Sequence, residues 1–125
     1  MVNTMANFTG QKYISLETYK KTGEPVRTPV WFAMENDKLY FHTSHKTWKV
    51  KRIKQNPEVR VAPSTWGGKP KGEWVKGVAK LVEGEEAKRI FKLINSRYGL
   101  NGRIIIFFEK LFQGQRLVFS VRLGS

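Results

Sequence analysis

The chain has 125 residues, 40% of them hydrophobic and 13% aromatic, and carries 23 Lys and Arg against 10 Asp and Glu for a formal net charge of +13, with no cysteine. That size suits one domain with a core of its own, the apolar content excludes a disordered polyelectrolyte, and the missing cysteines exclude disulfides, a thiol nucleophile and thiolate metal ligands. The excess of cations calls for an anionic partner, and nucleic acid, an acidic membrane surface or a polyanionic cofactor would each satisfy it.

At the start of the chain, Met1 to Asn7 lacks the basic start and apolar stretch of a signal peptide, so a cytoplasmic location is expected. Tyr13 to Tyr19 alternates, with Ile14 and Leu16 on one face, and predicts a strand. Lys20 to Pro25 has turn chemistry and Val26 to Ala33 is the returning strand, where Pro29 requires an edge, a bulge or a place where the ladder opens for a ligand. Asn36-Asp37 is the next hairpin tip and Leu39 to Thr43 the third strand.

Thr43 and Ser44 are placed to cap a helix that Asn56-Pro57 ends. In it Val50 and Ile53 face the core, while Lys49 and Arg52 project together from an adjoining side. Cations in a first helical turn oppose the helix dipole, and with capping hydroxyls and free backbone N–H groups they make a recipe for holding phosphate. A solvated basic helix face explains the same lysines equally well.

Val59 to Pro63 reads as a fourth strand, Thr65 to Gly72 as a Gly/Pro-rich loop, and Glu73 to Val82 as a fifth strand in which Gly77 signals a bulge or sharp bend. Glu83 to Tyr98 is a helix, with Glu85 and Glu86 in its first turn, a stripe of Ala87, Ile90, Phe91, Ile94 and Tyr98, and Gly99 at its end. Residues 103 to 112 fit either a helical face or a strand, and helix is the preferred reading. The longest apolar run, Ile104 to Phe108, is far below the roughly 18 residues of a membrane span, so no membrane is expected as partner. Leu117 to Leu123 alternates as a sixth strand. The whole predicts a mainly β chain, a six-stranded antiparallel barrel, closed or nearly so, with two to three helices.

No conventional catalytic set is present. His42 and His45 end a strand and start a helix without a third ligand, so no metal site is expected, and no serine has a histidine and an acid in a nucleophile-like context. Any chemistry then belongs to a cofactor that the chain binds and orients.

The blocks Tyr13 to Gly23, Val26 to Phe32, Leu39 to Thr43, Lys49 to Ile53 with Asn56-Pro57, and Gly72 to Ala79 resemble, in order and spacing, the pyridoxamine-phosphate-oxidase-like split-barrel family, and most closely its branch dependent on the deazaflavin coenzyme F420. The resemblance spans Tyr13 to Tyr98. It implies a six-stranded Greek-key split barrel, a homodimer, and a flavin or deazaflavin in a groove at the subunit interface. Lys49, Lys51 and Arg52 fall where that family places its phosphate-binding cations, Thr43 and Ser44 at the hydroxyl-bearing turn before them, and Thr28, Pro29, Val30 and Trp31 on the strand beside the ring system. Trp48 stands where oxidase-type relatives carry arginine, and nothing after Leu123 matches the oxidase's substrate-binding segment, so neither pyridoxamine phosphate as substrate nor FMN as first-choice cofactor is implied.

The expected function is therefore an oxidoreductase that binds F420 and passes a hydride between it and an electron-poor small molecule, with an FMN-binding oxidoreductase or a flavin-binding module of the same fold as the alternative. Trp31, Trp66 and Trp74 could form the apolar wall of the site. A basic nucleic-acid-binding barrel, with Tyr40, Trp48 and Trp66 as stacking platforms, is the less favoured class, because the cations gather at one helix start instead of interleaving with aromatics along several strands.

Overall fold

The computed structural model describes residues 4–98 and 116–124. After a 3-10 helix at Thr4–Phe8 come β1 (Tyr13–Tyr19), β2 (Pro25–Val30), β3 (Phe32–Glu35), β4 (Lys38–Ser44), α1 (Trp48–Gln55), β5 (Glu58–Ser64), β6 (Val75–Val82), α2 (Gly84–Arg97) and β7 (Arg116–Leu123). All pairings are antiparallel, in one seven-stranded sheet of order β2-β1-β5-β6-β7-β4-β3.

The count differs from six because the run Val26 to Ala33 forms two strands. Val30 pairs with Ile14 of β1, whereas Phe32 pairs with Phe41 of β4 at the opposite end of the sheet. Trp31 is the single residue between them, so the two edge strands are joined by the covalent chain and not by a ladder. The barrel is split there, beside the Pro29 that sits in an edge strand because it has no N–H to donate.

Alternation then sorts the side chains. Leu39, Phe41, Phe119 and Val121 point inward with Ile14, Leu16 and Val61, and Val50 and Ile53 of α1 join the same core. Tyr40 and Val118 point outward, where Ile90 and Ile94 of α2 cover them in a second cluster with Ala33. Each fully buried Leu, Ile or Phe contributes about 1.5 to 3 kcal/mol, so the inner cluster supplies most of the drive to fold.

Two local expectations change. The helix begins at Trp48 with Thr47 as its cap, four residues after Thr43, because Thr43 and Ser44 stay extended as partners of Leu117 and Arg116. Thr47 caps without a side-chain hydrogen bond to the helix. Gly77 makes no bulge: the register passes straight through it, and glycine is needed because a Cβ would lie 2.7 Å from Val121 Cγ1 and 3.0 Å from the Arg122 carbonyl oxygen. Asn36 and Asp37 do form the hairpin tip, both with positive φ (53° and 61°) as a mirror-image two-residue turn demands. The expected element at 103 to 112 lies outside the described residues.

Candidate functional site

The split opens into a cavity of about 570 Å³. One wall is the end of β2 and the joining residue: Pro29, Val30 and Trp31, with Tyr13 of β1 behind them. The opposite wall comes from the end of β4 and the start of α1, which contribute His42, Thr43, Ser44, Thr47 and Lys49, and from Arg116 at the start of β7. Trp66, on the loop between β5 and β6, overhangs the opening and is 79% exposed.

Trp31 is held by stacking. Its ring lies 4.2 Å from that of Tyr98, with 10° between the planes. Tyr98, the C-cap of α2, accepts from the Phe32 N–H at 2.9 Å and donates to the Lys12 carbonyl at 2.6 Å. The neighbouring Arg97 donates to the Phe32 carbonyl and, at 2.9 Å, to that of Gln11. The last turn of α2 therefore pins the lip of the split where no ladder does.

The other wall is electropositive. Lys49 is half-buried, and burial together with the charges of Arg52 and Arg116 pushes its amine below the usual lysine range. Burial also lowers the Arg116 guanidinium from its ordinary value, without approaching neutrality. Three hydroxyls, Thr43, Ser44 and Thr47, face the same space, with Thr43 and Thr47 Oγ1 atoms 3.3 Å apart and Thr47 donating to the Ser44 carbonyl at 3.1 Å. Among the described residues no carboxylate lines the cavity.

His42 sits behind Arg116. Its Nδ1 lies 3.0 Å from Arg116 Nε and 2.7 Å from Nη2, and its Nε2 lies 3.0 Å from Asn95 Oδ1 on α2. A guanidinium can only donate, so Nδ1 accepts and the proton is assigned to Nε2, which donates to Asn95. Burial and then the Arg116 charge push the imidazole down to about 4, against the opposing pull of the Asn95 hydrogen bond, so the ring is neutral at physiological pH.

Of the residues read from the sequence, Pro29, Val30, Trp31, Thr43, Ser44, Lys49 and Trp66 come together around the cavity. Thr28, Lys51 and Arg52 do not line it. Thr28 pairs with Leu16 within the β1–β2 ladder, Lys51 lies over the exposed Trp48 ring at 4.5 Å, and Arg52 donates from Nε to Thr18 Oγ1 at 2.7 Å. Trp74 lies instead under the guanidinium groups of Arg27 and Arg60.

Sequence reasoning missed Arg116, His42 as its support, Asn95, Thr47 and Tyr98. Strand-end polar residues facing a split would have pointed to His42, but Arg116 reaches it only through the β4–β7 register. The arrangement can hold an anion against a flat apolar wall. Among the described residues no carboxylate lines the cavity and both His42 nitrogens are engaged, so neither a carboxylate nor the imidazole is free there to act as a general acid or base.

Residues 3–123 match the family model described as Pyridoxamine 5'-phosphate oxidase. No curated protein is significantly similar in sequence. Among solved structures, a conserved hypothetical protein from Mycobacterium tuberculosis is 17% identical with a TM-score of 0.78, over 100% of this chain and 82% of its own. HutZ, the heme storage protein from Vibrio cholerae, is 18% identical with a TM-score of 0.73, over 98% and 88%. An F420 reductase is 22% identical with a TM-score of 0.67, over 96% and 92%. At these identities the likeness shows a shared fold.

Proposed function

Since the chain belongs to the pyridoxamine 5'-phosphate oxidase family, we propose that it is an oxidoreductase that binds a flavin-type cofactor, coenzyme F420 in preference to FMN, in the cavity at the split. The observation that carries this reading is the gathering of Lys49, Arg116 and three hydroxyls, with no carboxylate among the described residues, in one cavity with Pro29, Val30 and Trp31.

The donor set fits such a cofactor. Lys49 and Arg116 supply charge-assisted hydrogen bonds to a phosphate, and Thr43, Ser44 and Thr47 add neutral donors within the same space. The first backbone N–H groups of α1 are without helical acceptors there, and no acidic residue occupies that turn. Pro29, Val30 and Trp31 present apolar surface that excludes water beside a ring. When bound, the deazaflavin would supply the hydride, passed to an electron-poor small molecule such as a quinone or conjugated carbonyl. The chain's own contribution is to hold and orient the cofactor.

F420 is preferred over FMN because it carries a phosphodiester and an acidic tail, and this chain has charge beyond the cavity to meet it: a net +13 and the exposed Lys51 on α1. The F420 reductase among the structural neighbours supports the same choice. Heme storage, as in the HutZ neighbour, is disfavoured because heme asks for an axial ligand and His42, the histidine that lines the cavity among the described residues, has both nitrogens committed.

Titration with F420, FMN, hemin and single-stranded DNA at two salt concentrations tests the reading. F420 should bind most tightly, with its advantage over FMN shrinking as salt screens charges beyond a Debye length of about 8 Å. Lys49→Ala should weaken F420 binding by roughly 1.5 to 3 kcal/mol without unfolding the protein. Tighter binding of FMN or hemin would overturn the cofactor, and tighter binding of DNA would overturn the enzyme class.

A further inference from the structure

We propose that His42 is a positioning residue that presents the Arg116 guanidinium to the anion in the cavity, and that Asn95 on α2 fixes the tautomer that lets it do so. The inference rests on the cavity being the cofactor's anion site, and it names a residue that acts there through Arg116.

The geometry carries it. Arg116 stands at the first position of β7, where a long flexible side chain would ordinarily sample many rotamers. Here its Nε and Nη2 both meet His42 Nδ1, at 3.0 and 2.7 Å, and Nη2 also reaches the His42 carbonyl oxygen at 3.3 Å. Nη1 is left without an acceptor among the described residues, on a side chain that lines the cavity. The imidazole is fixed in turn. Nε2 donates to the Oδ1 of Asn95, itself only 3% exposed, and the ring packs against Phe91 with centroids 4.6 Å apart. A change of tautomer would turn an N–H, and a ring flip a C–H, towards the guanidinium, and either would remove the acceptor that holds it. Asn95 and Phe91 both lie on α2, whose last turn also stacks Tyr98 on Trp31, so one helix holds both walls of the cavity.

The test separates this role from simple packing. His42→Phe keeps a ring beside Phe91 but removes the acceptor, whereas His42→Asn places an amide oxygen near the position of Nδ1. F420 titration should show about a tenfold loss for His42→Phe, a similar loss for Arg116→Ala, no further loss in the double variant, and binding within about threefold of the parent for His42→Asn. Additive losses, or unchanged binding by His42→Phe, would overturn the proposal.

A ligand-free readout stands beside the titration. In long-range 1H–15N spectra at neutral pH, His42 should appear as the neutral ring protonated at Nε2, and Arg116 Nε–H should exchange slowly with water in the parent and rapidly in His42→Phe. A proton on Nδ1, or fast exchange in the parent, refutes the positioning even if F420 binds. If these signatures hold while F420 and FMN both fail to bind, the proposed function falls and the His42–Arg116 link stands.

Discussion

Glu17 is fully buried on the outward face of β1, yet it is ionised at neutral pH. Burial alone would raise its pKa, but hydrogen bonds from Arg60 Nε at 2.6 Å, the Tyr19 hydroxyl at 2.7 Å and Arg27 Nε at 2.7 Å overcome that and bring it to about 2. The two arginines reach it by register, since Glu17 is the cross-strand partner of Arg27 on β2 and Arg60 on β5. His42 is a second group whose pKa is lowered, to about 4. Both are depressed, so in each case the unfolded chain binds the proton first and stability falls with falling pH. For His42 the fall runs from its ordinary 6.5 to about 4, and for Glu17 from about 4.5 to about 2. Each is worth roughly 3 kcal/mol by linkage. Denaturant melts from pH 7 to pH 2.5 should therefore lose stability in two stages: His42→Asn should flatten the upper one, and Glu17→Gln the lower one while lowering stability at pH 7. A single stage untouched by either substitution would refute the assignment.

The elements that shape the site are held by contacts far apart in sequence, and Tyr98 is the plainest case. Its hydroxyl serves the Phe32 N–H and the Lys12 carbonyl, so Tyr98→Phe leaves two backbone groups at the split without that partner. A loss of about 1 to 3 kcal/mol is expected in chemical denaturation, with weakened F420 binding because the wall carrying Trp31 loses its pin. The strands themselves were legible. Alternation in Tyr13 to Tyr19, Leu39 to Thr43 and Leu117 to Leu123 reports faces correctly, because a period of two is imposed locally by the pleat. The break at Trp31 was not, since a chain that leaves one sheet edge and joins the other looks locally like one continuous strand. The helix start was missed for a similar reason. Thr43, Ser44 and Thr47 can all cap, and only pairing with Leu117 and Arg116 holds the first two extended. Six of the expected site residues were legible because they lie beside that helix start or on β2 and its following residue, while Arg116 enters through a partner strand distant in sequence.

For the molecule as a whole, β2 ends the sheet among the described residues, and Trp31 at 39% and Trp66 at 79% exposed beside the cavity, with Trp48 at 69% on α1, leave large aromatic surface. We propose that a second copy covers part of it in a twofold dimer, since isolated domains rarely leave so much aromatic surface to water. Sedimentation at micromolar concentration should give twice the monomer mass, and a monomer there would refute the dimer. The split has a further consequence, in the time domain. Most of the cavity is assembled by the neighbouring strands β2 to β4 and by α1, but its second cation, Arg116, arrives only after β7 has paired with β4 across most of the chain, so the anion site is complete only then. Contacts that close such long loops form late, so the anion site should be absent from the rate-limiting transition state for folding. A cofactor that recognises only the finished cavity then cannot hasten folding. Stopped-flow refolding should give the same rate with and without F420, while the unfolding rate falls as F420 is added; faster refolding would show the anion site completed early.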